Sequence, residues 1–301
     1  MEQSIPASLS GLSSVASEQA RLQRRKLTSA LITGIIVLLT AISVGVLLFI
    51  FATIIYSGLF TVSDSGQVAF NADFWSNVLK ETIDGGLLSA IYGTLEMLAV
   101  SALIAVPLGL ATAIYLSEYG GGWFASAVRF ALDLLSQMPS IVIGLFVWMF
   151  IVNYQILKNS GLAGSIALSI IILPIVARTV EEILRLVPDH LREAGLALGT
   201  PRWRVIIGVV IPTVLPGIMT GIILSLARAA GETAPLLLVT GSNITQFDLR
   251  QPIGAIPLQI YQDATTGNFP RAWGAALILV VVIAIFSATV RFFTGRVRYE
   301  S

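Results

Sequence analysis

Two arginine and glutamate pairs, each separated by four positions, lie in or beside strongly apolar stretches of this 301-residue chain. Arg228 precedes Glu232, and Arg178 precedes Glu182, so the members of each pair share one face of a helix. A guanidinium group is planar and can donate two parallel hydrogen bonds to the oxygens of a phosphate or a carboxylate. Each arginine is therefore a candidate ligand for a passing oxyanion, and each glutamate is a candidate counter-charge between passages.

The same pairs could instead be structural ion pairs that hold helices together, and the sequence leaves both roles open. If a membrane helix begins near Pro212, Arg228 lies sixteen residues further on, or about 24 Å along the helix axis. An arginine at that depth costs at least about 2.5 kcal/mol, so it should face a cavity, a partner or an anion. Gly231 and Pro235 can break the helix beyond Arg228. A break frees backbone hydrogen-bonding groups, and within a membrane these are tolerated only beside protein or a water-filled path.

The chain lacks the residues that metal binding, ATP hydrolysis and other enzymatic reactions need. The chain has no cysteine and one histidine, so we expect no metal site and no cofactor on this chain. No lysine is followed by serine or threonine, so the usual glycine-rich phosphate loop is absent and any ATP chemistry belongs to a partner. A membrane hydrolase would need a general base near a serine, and no apolar stretch supplies one. We therefore predict that the chain is not an enzyme.

The composition places the chain in a membrane. Hydrophobic residues make up 55% and charged residues only 12%, with a mean hydropathy of +0.86, whereas soluble domains carry about 25% charged residues. A soluble cytoplasmic enzyme is thereby excluded. The formal net charge of +1 gives no indication of a nucleic-acid partner.

Six stretches are apolar and long enough to be candidate membrane helices, since a bilayer core requires about 20 such residues. We predict an all-α integral membrane protein with six transmembrane helices. The candidate spans are 27–63, 87–116, 134–157, 162–177, 205–228 and 272–290.

The distribution of basic residues predicts the orientation. Most lysines and arginines fall in the cytoplasm when the N-terminus is placed inside, so both termini are predicted to be cytoplasmic. The first apolar run is too long for a signal peptide and is predicted to be an uncleaved helix. The predicted domains are a tail over 1–26 that is mobile over 1–20, a membrane domain over 27–293, and a C-terminal tail over 294–301.

The cytoplasmic segment 178–205 has the apolar spacing of helices. Pro188 and the run 199–201 interrupt the pattern, which predicts two short helices on the cytoplasmic face. The charges of Arg192, Glu193, Arg202 and Arg204 can pair across a partially buried interface with a partner. Gly199 would allow the tight turn between the two helices.

This segment carries a motif. Glu193, Ala194 and Gly195 are followed after three residues by Gly199, and nine residues later by Val209, Val210, Ile211 and Pro212. The spacing resembles the EAA signature of ABC transporter permeases, with Gly195 in place of alanine, Val209 in place of isoleucine and Ile211 in place of leucine.

The resemblance implies a MetI-like permease core over about 87–293 with a cytoplasmic coupling loop over about 178–205. In that family the loop sits in a groove of an ATP-binding subunit, a role that would fall to Glu193, Ala194, Gly195, Gly199 and Pro212. The resemblance further implies a second, similar permease, two ATP-binding subunits and an external binding protein that delivers the substrate. The chain would then be a multi-pass subunit of the plasma membrane, or of the inner membrane in a host that has two.

The stretch 227–237, Ala-Arg-Ala-Ala-Gly-Glu-Thr-Ala-Pro-Leu-Leu, is similar to a segment of the phosphate branch of these permeases. Segments 113–119, 137–144 and 178–182 are also similar to that branch. Molybdate and sulfate permeases have a comparable arrangement of arginine, glycine and glutamate. The implied function is phosphate import by alternating access, and the alternatives are another oxyanion or an ATP-independent channel or scaffold.

Overall fold

A computed structural model describes residues 8–62, 68–78, 87–241 and 248–296. Helices and their connections make up this part of the chain, apart from a short antiparallel hairpin in which Phe60–Val62 (β1) pairs with Val68–Phe70 (β2). The predicted helical membrane fold is confirmed. The helices are α1 (Ser8–Leu59), α2 (Ala72–Asn77), α3 (Leu88–Ile114), α4 (Trp123–Gln137), α5 (Ser140–Val147), α6 (Gly161–Arg185), α7 (Asp189–Ala197), α8 (Arg202–Val205), α9 (Ile211–Ala230), α10 (Ala234–Val239), α11 (Ile256–Thr265) and α12 (Phe269–Arg296).

Three of these helices are extended by a wider turn, in which each N–H bonds the carbonyl five residues back. Such turns follow α3, α5 and α8, over Tyr115–Tyr119, Trp148–Val152 and Ile206–Val210. The last of them joins α8 to α9 without a break, directly before Pro212. The helix therefore continues through the wider turn to Pro212, which has no backbone N–H to donate.

Five helical stretches among the described residues are long and apolar enough to cross a membrane. The bent pair formed by α4 and α5 makes a sixth if it is counted as one span. The five are Thr28–Leu59, Leu88–Tyr119, Gly161–Arg185, Arg202–Ala230 and Phe269–Ala288.

The predicted third span, over 134–157, is wrong as a continuous helix. The chain bends by 102° between Trp123–Gln137 and Ser140–Val152. Met138 adopts extended backbone angles (φ −66°, ψ 137°), because the ring of Pro139 disfavours the helical conformation in the residue before it. The bend thus has a local cause that hydropathy alone does not reveal.

The segment 178–205 also differs from the prediction. Helix α6 continues to Arg185, so the first residues of the interval 178–205 extend the fourth span. One separate short helix follows, α7, and α8 is the first turn of the rod that leads into α9. Gly199 lies between them with a φ of +75°, a left-handed conformation that favours glycine.

The core lies where α3, α6 and α9 pack together. Small residues allow these helices to approach closely, as is common between membrane helices. A Cβ added at Gly109 of α3 would lie 2.9 Å from a methyl of Val176, and one added at Gly221 of α9 would lie 2.6 Å from a methyl of Thr179. The buried apolar side chains around these contacts include Met97, Ile172, Val180, Leu184, Val210 and Ile222.

The chain forms two compact units, one up to Tyr56 and one from Ser57 onward. In the first, the described residues are a single helix that begins at Ser8, so the tail predicted as mobile over 1–20 is helical from that residue. Residues 1–7 of that predicted tail lie outside the described residues. At the other end α12 runs to Arg296, beyond the predicted boundary at 294, and residues 297–301 are likewise outside the description.

Candidate functional site

Arg228 and Glu232 lie at the end of α9, where the helix breaks. Helix α9 ends at Ala230, and Gly231 has φ −92° and ψ 0°. The N–H of Glu232 still bonds the carbonyl of Ala229 at 3.1 Å, and α10 then begins at Ala234. The break predicted from Gly231 and the following proline is found, so Arg228 occupies the last helical turn and Glu232 lies beyond it.

Both side chains line a cavity of about 280 Å³. The opposite wall is the bend between α4 and α5, which contributes Ser136, Gln137 and Ser140. Ile143, Ile171 and Ile175 form an apolar part of the wall. Two helix breaks that are far apart in sequence therefore meet at one charged cavity.

The two breaks are held close together by a glycine. A Cβ added at Gly144 of α5 would lie 2.6 Å from the Cα of Pro235 in α10. Because a backbone atom cannot move aside as a flexible side chain can, only glycine fits at this position. The close approach of α5 and α10 fixes the wall of the cavity relative to Glu232.

Within the described part of the chain, the side chains of Arg228 and Glu232 form no ion pair and no hydrogen bond. An ion pair between them, one of the two roles that the sequence leaves open, is therefore not formed in this structure. The reason is the helix break, because a spacing of four residues brings side chains together only within a continuous helix. The guanidinium group of Arg228, which is exposed, is left available to a ligand.

Arg178 is engaged elsewhere. Its Nε donates to Oδ1 of Asp133 at 2.9 Å, and its Nη1 donates to Oε2 of Glu181 at 3.2 Å. The predicted partner, Glu182, is exposed and has no ion pair among the described residues. The observed contacts favour the structural ion-pair role for Arg178, which joins α6 to α4.

Glu181 is the centre of a cluster that sequence reasoning missed. Its carboxylate is buried and accepts hydrogen bonds from Arg129 at 2.8 Å, Arg178 at 3.2 Å and Arg185 at 2.6 Å. A buried carboxylate is stable only when it is paired and hydrogen-bonded in this way. The arginines three residues before it and four residues after it were a visible signal, since both fall on its own helical face.

Four of the five predicted coupling residues lie in α7 or directly after it, and Pro212 lies in the first turn of α9. Glu193 and Ala194 are exposed, and so are Gly199 and Pro212. Gly195 faces α8, where a Cβ would lie 2.9 Å from both methyl groups of Val205. The small residue is therefore required for α7 to pack against the beginning of the next rod.

Large apolar side chains are exposed around this helix. Leu186 is 76% exposed, Leu198 is 85% exposed and Trp203 is 54% exposed. A group of exposed apolar side chains among charged ones is typical of a surface that binds another protein.

Five long apolar helices, a bent helix pair and a charged cavity between helix breaks define a multi-pass membrane protein with the architecture of a transport subunit. The family model described as "Binding-protein-dependent transport system inner membrane component" matches residues 105–299, and the chain belongs to this family.

Sequence and structural similarity to individual proteins agrees with membership of this family. The chain is 39% identical over 290 residues to the phosphate transport system permease protein PstA 1 of Mycobacterium tuberculosis, with 91% of each protein covered. It is 44% identical over 241 residues to the corresponding PstA protein of Pasteurella multocida, covering 78% of this chain and 86% of that protein. An inward-facing structure of the MetNI methionine ABC transporter covers 70% of this chain and 95% of its own, with 19% identity and a TM-score of 0.56, which confirms the MetI-like fold.

Proposed function

We propose that this chain is the membrane-spanning permease subunit of an ATP-driven importer of inorganic phosphate. The observation that carries the proposal is an arginine, Arg228, that lines a cavity between two helix breaks and has no side-chain partner among the described residues. The assignment to phosphate is supported by relatives that are about 40% identical over most of the chain and are named phosphate permeases.

The cavity has the chemistry that a passing oxyanion needs. The guanidinium of Arg228 can meet two phosphate oxygens at once, and Ser140 lines the same cavity. Glu232 adds a negative charge to the same cavity, which weakens the hold on an anion. Transport requires such a balance, because a site must bind its substrate well enough to admit it and weakly enough to release it.

The partners follow from the family and from the coupling surface. Two ATP-binding subunits dock on α7 and the exposed apolar side chains beside it, and they hydrolyse the ATP. A second, similar permease completes the path, and an external binding protein delivers phosphate. Both termini then lie in the cytoplasm, and the plasma membrane, or the inner membrane of a two-membrane host, holds the subunit.

Two other functions give different results in a transport assay. A permease for molybdate or sulfate would use the same kind of arginine, and an ATP-independent channel or scaffold would need no coupling surface. Radiolabelled phosphate uptake should be measured in cells that lack their own copy, with unlabelled phosphate, molybdate or sulfate as competitors. Competition by phosphate alone supports the proposal, whereas competition by molybdate or sulfate assigns the chain to that anion.

The requirement for ATP is tested on the coupling surface. Glu193→Gln alters the exposed face of α7, and Gly199→Trp places a large side chain at a left-handed glycine. Both changes should lower ATP-dependent uptake while membrane insertion stays normal. The exposed Arg250→Gln change, remote in sequence from α7, is the matched control and should leave uptake unchanged. Phosphate flux that persists without any ATP-binding subunit would identify a channel instead.

A further inference from the structure

The cytoplasmic end of α3 has an unusual form. The helix ends in the wider turn Tyr115–Tyr119, and Gly120 stops it there. A Cβ at Gly120 would lie 2.4 Å from the carbonyl oxygen of Leu116, so the stop requires glycine. Wider turns of this kind occur frequently at functional sites.

This helix end is joined to α7 by one buried ion pair. Glu118 is 4% exposed, and its carboxylate accepts hydrogen bonds from Nε and Nη2 of Arg192 at 3.2 and 2.9 Å. Arg192 also donates to the carbonyl of Leu184 at 2.9 Å and to that of Val187. One arginine of α7 therefore holds the ends of both α3 and α6, and hydrogen bonding to Glu118 raises the pKa of this arginine.

Two further arginines converge on the same turn. Arg202 of α8 donates to the carbonyl of Glu118, and its guanidinium lies over the ring of Tyr119 at 5.0 Å. Arg129 of α4 donates to the carbonyl of Leu116 at 2.7 Å. The sequence suggested that Arg192 and Arg202 would pair with another protein, but both are engaged within the chain.

These contacts differ in strength according to their exposure. The side chain of Glu118 is 3% exposed and that of Arg192 is 18% exposed, so water screens their attraction little. The side chain of Asp189, which lies 3.2 Å from Arg192 on the same helix, is 89% exposed, and such surface pairs contribute little. Of the two carboxylate contacts of Arg192, the one to Glu118 is thus the one that helps to fix the position of α7.

We propose that Glu118 is a positioning residue for coupling, which makes α7 and the cytoplasmic end of α3 move as one body. Motion that an ATP-binding subunit imposes on α7 then enters α3 directly, as well as along the chain into α6 and α9. Without Glu118, α7 keeps the bonds of Arg192 to the end of α6 and its packing against Val205, but it loses its charged link to α3 and can shift relative to that helix. This inference rests on the proposed docking of the ATP-binding subunit at α7.

The first test is the amount of phosphate transported per ATP hydrolysed by the reconstituted complex with its binding protein. Glu118→Gln should lower this ratio about tenfold, the size of a typical coupling effect between sites, while the ATPase rate per assembled complex persists. The double change Glu118→Gln with Arg192→Gln leaves no unpaired buried charge and should give the same low ratio if the single variant assembles poorly. The control is Asp133→Asn, which removes a half-exposed ion-pair partner of Arg178 between α4 and α6 and lies outside α7, and it should keep the wild-type ratio.

A merely structural role would lower transport and ATP hydrolysis together, in proportion to the amount of complex, and would leave the ratio unchanged. An unchanged ratio in the double variant therefore overturns the proposal.

A second test is independent of the substrate. The chain has no cysteine, so cysteines placed at the exposed positions Leu108 of α3 and Ala197 of α7 can carry spin labels for a distance measurement. The wild-type distance should stay the same with and without ATP, and it should broaden or shift with ATP in the Glu118→Gln, Arg192→Gln variant. A wild-type distance that changes with ATP, or a double variant with the wild-type distribution, refutes the inference. Wild-type complex that transports no phosphate refutes the proposed function instead, and the distances still judge the role of Glu118.

Discussion

Replacing Glu181 by alanine should destabilise the fold, and the contacts of its carboxylate set the expected size of the effect. The side chain of Glu181 is 3% exposed, whereas those of Arg129, Arg178 and Arg185 are 24%, 29% and 55% exposed. The pair with Arg185 is therefore close to a surface pair and contributes at most about 0.5 kcal/mol. The contacts with Arg129 and Arg178 are partly shielded charge-assisted bonds, each worth about 1.5–3 kcal/mol.

The full sum is not lost, because two arginines keep another partner. Arg129 still donates to the carbonyl of Leu116, and Arg178 still donates to Asp133. We therefore expect Glu181→Ala to cost about 3 kcal/mol, at the low end of the effect of breaking a buried ion pair. Glu181→Gln keeps the volume and one acceptor oxygen, so it should cost about half as much.

The assay is thermal unfolding of the purified subunit in detergent, followed by tryptophan fluorescence. Glu181→Ala should lower the midpoint by on the order of 6 °C, and Glu181→Gln should fall between it and wild type. The control is Glu182→Gln, which changes the neighbouring exposed carboxylate and should leave the midpoint unaltered. If Glu181→Ala unfolds at the same temperature as this control, the cluster contributes no stability and the reasoning is wrong.

Three further predictions concern other parts of the fold. Gly144→Ala should lower both uptake and thermal stability, by about 1–3 kcal/mol for overpacking, because the new Cβ would lie 2.6 Å from the Cα of Pro235. Gly195→Val should abolish uptake by pushing α7 away from Val205, and a second change, Val205→Ala, should restore uptake in the same assay. Burial raises the pKa of Asp263 above its ordinary value of 3.8, so the folded state binds its proton more tightly than the unfolded state. The protonated carboxyl group therefore contributes its full stabilisation below the pKa of the unfolded state, and this contribution is lost as the pH rises through the pKa of the folded state. In Asp263→Asn the free energy of unfolding should not show this dependence on pH.

Each of these predictions has a control and a contrary result. Gly121→Ala adds a methyl group where nothing lies within 4 Å, and it should behave as wild type in the assays used for Gly144→Ala. Equal stability of Gly144→Ala and wild type would mean that α5 and α10 can separate without cost. Failure of Val205→Ala to rescue Gly195→Val would remove the packing explanation. An identical pH trend in wild type and Asp263→Asn would assign the trend to other groups.

The elements that depend on local rules were predictable from the sequence. Continuous apolar length identified the membrane helices, and Gly231 with Pro235 correctly marked the end of α9. The bend at Met138 and Pro139 was missed because the apolar run continues across it, although the proline was visible. Hydropathy indicates whether a segment is stable in a bilayer, and it does not indicate whether the helix is straight.

The partners of the charged residues were not predictable in the same way. Arg178 has a glutamate four residues ahead, yet it bonds Asp133, which lies 45 positions away. Arg192 bonds Glu118, which lies 74 positions away. Spacing within one helix identifies which side chains share a face, but the packing of α3 and α4 against α6 and the placement of α7 decide which charges meet.

The most direct test of the central claim is phosphate uptake by cells that carry Arg228 variants in place of their own subunit. Wild type should restore ATP-dependent uptake, and Arg228→Gln should reduce it at least about tenfold, equivalent to losing one charge-assisted contact, while the binding protein still binds phosphate. Arg228→Lys keeps the charge without the planar fork and should fall between them. Normal uptake by Arg228→Gln, with expression and membrane insertion equal to wild type, would contradict the account and place the phosphate path elsewhere.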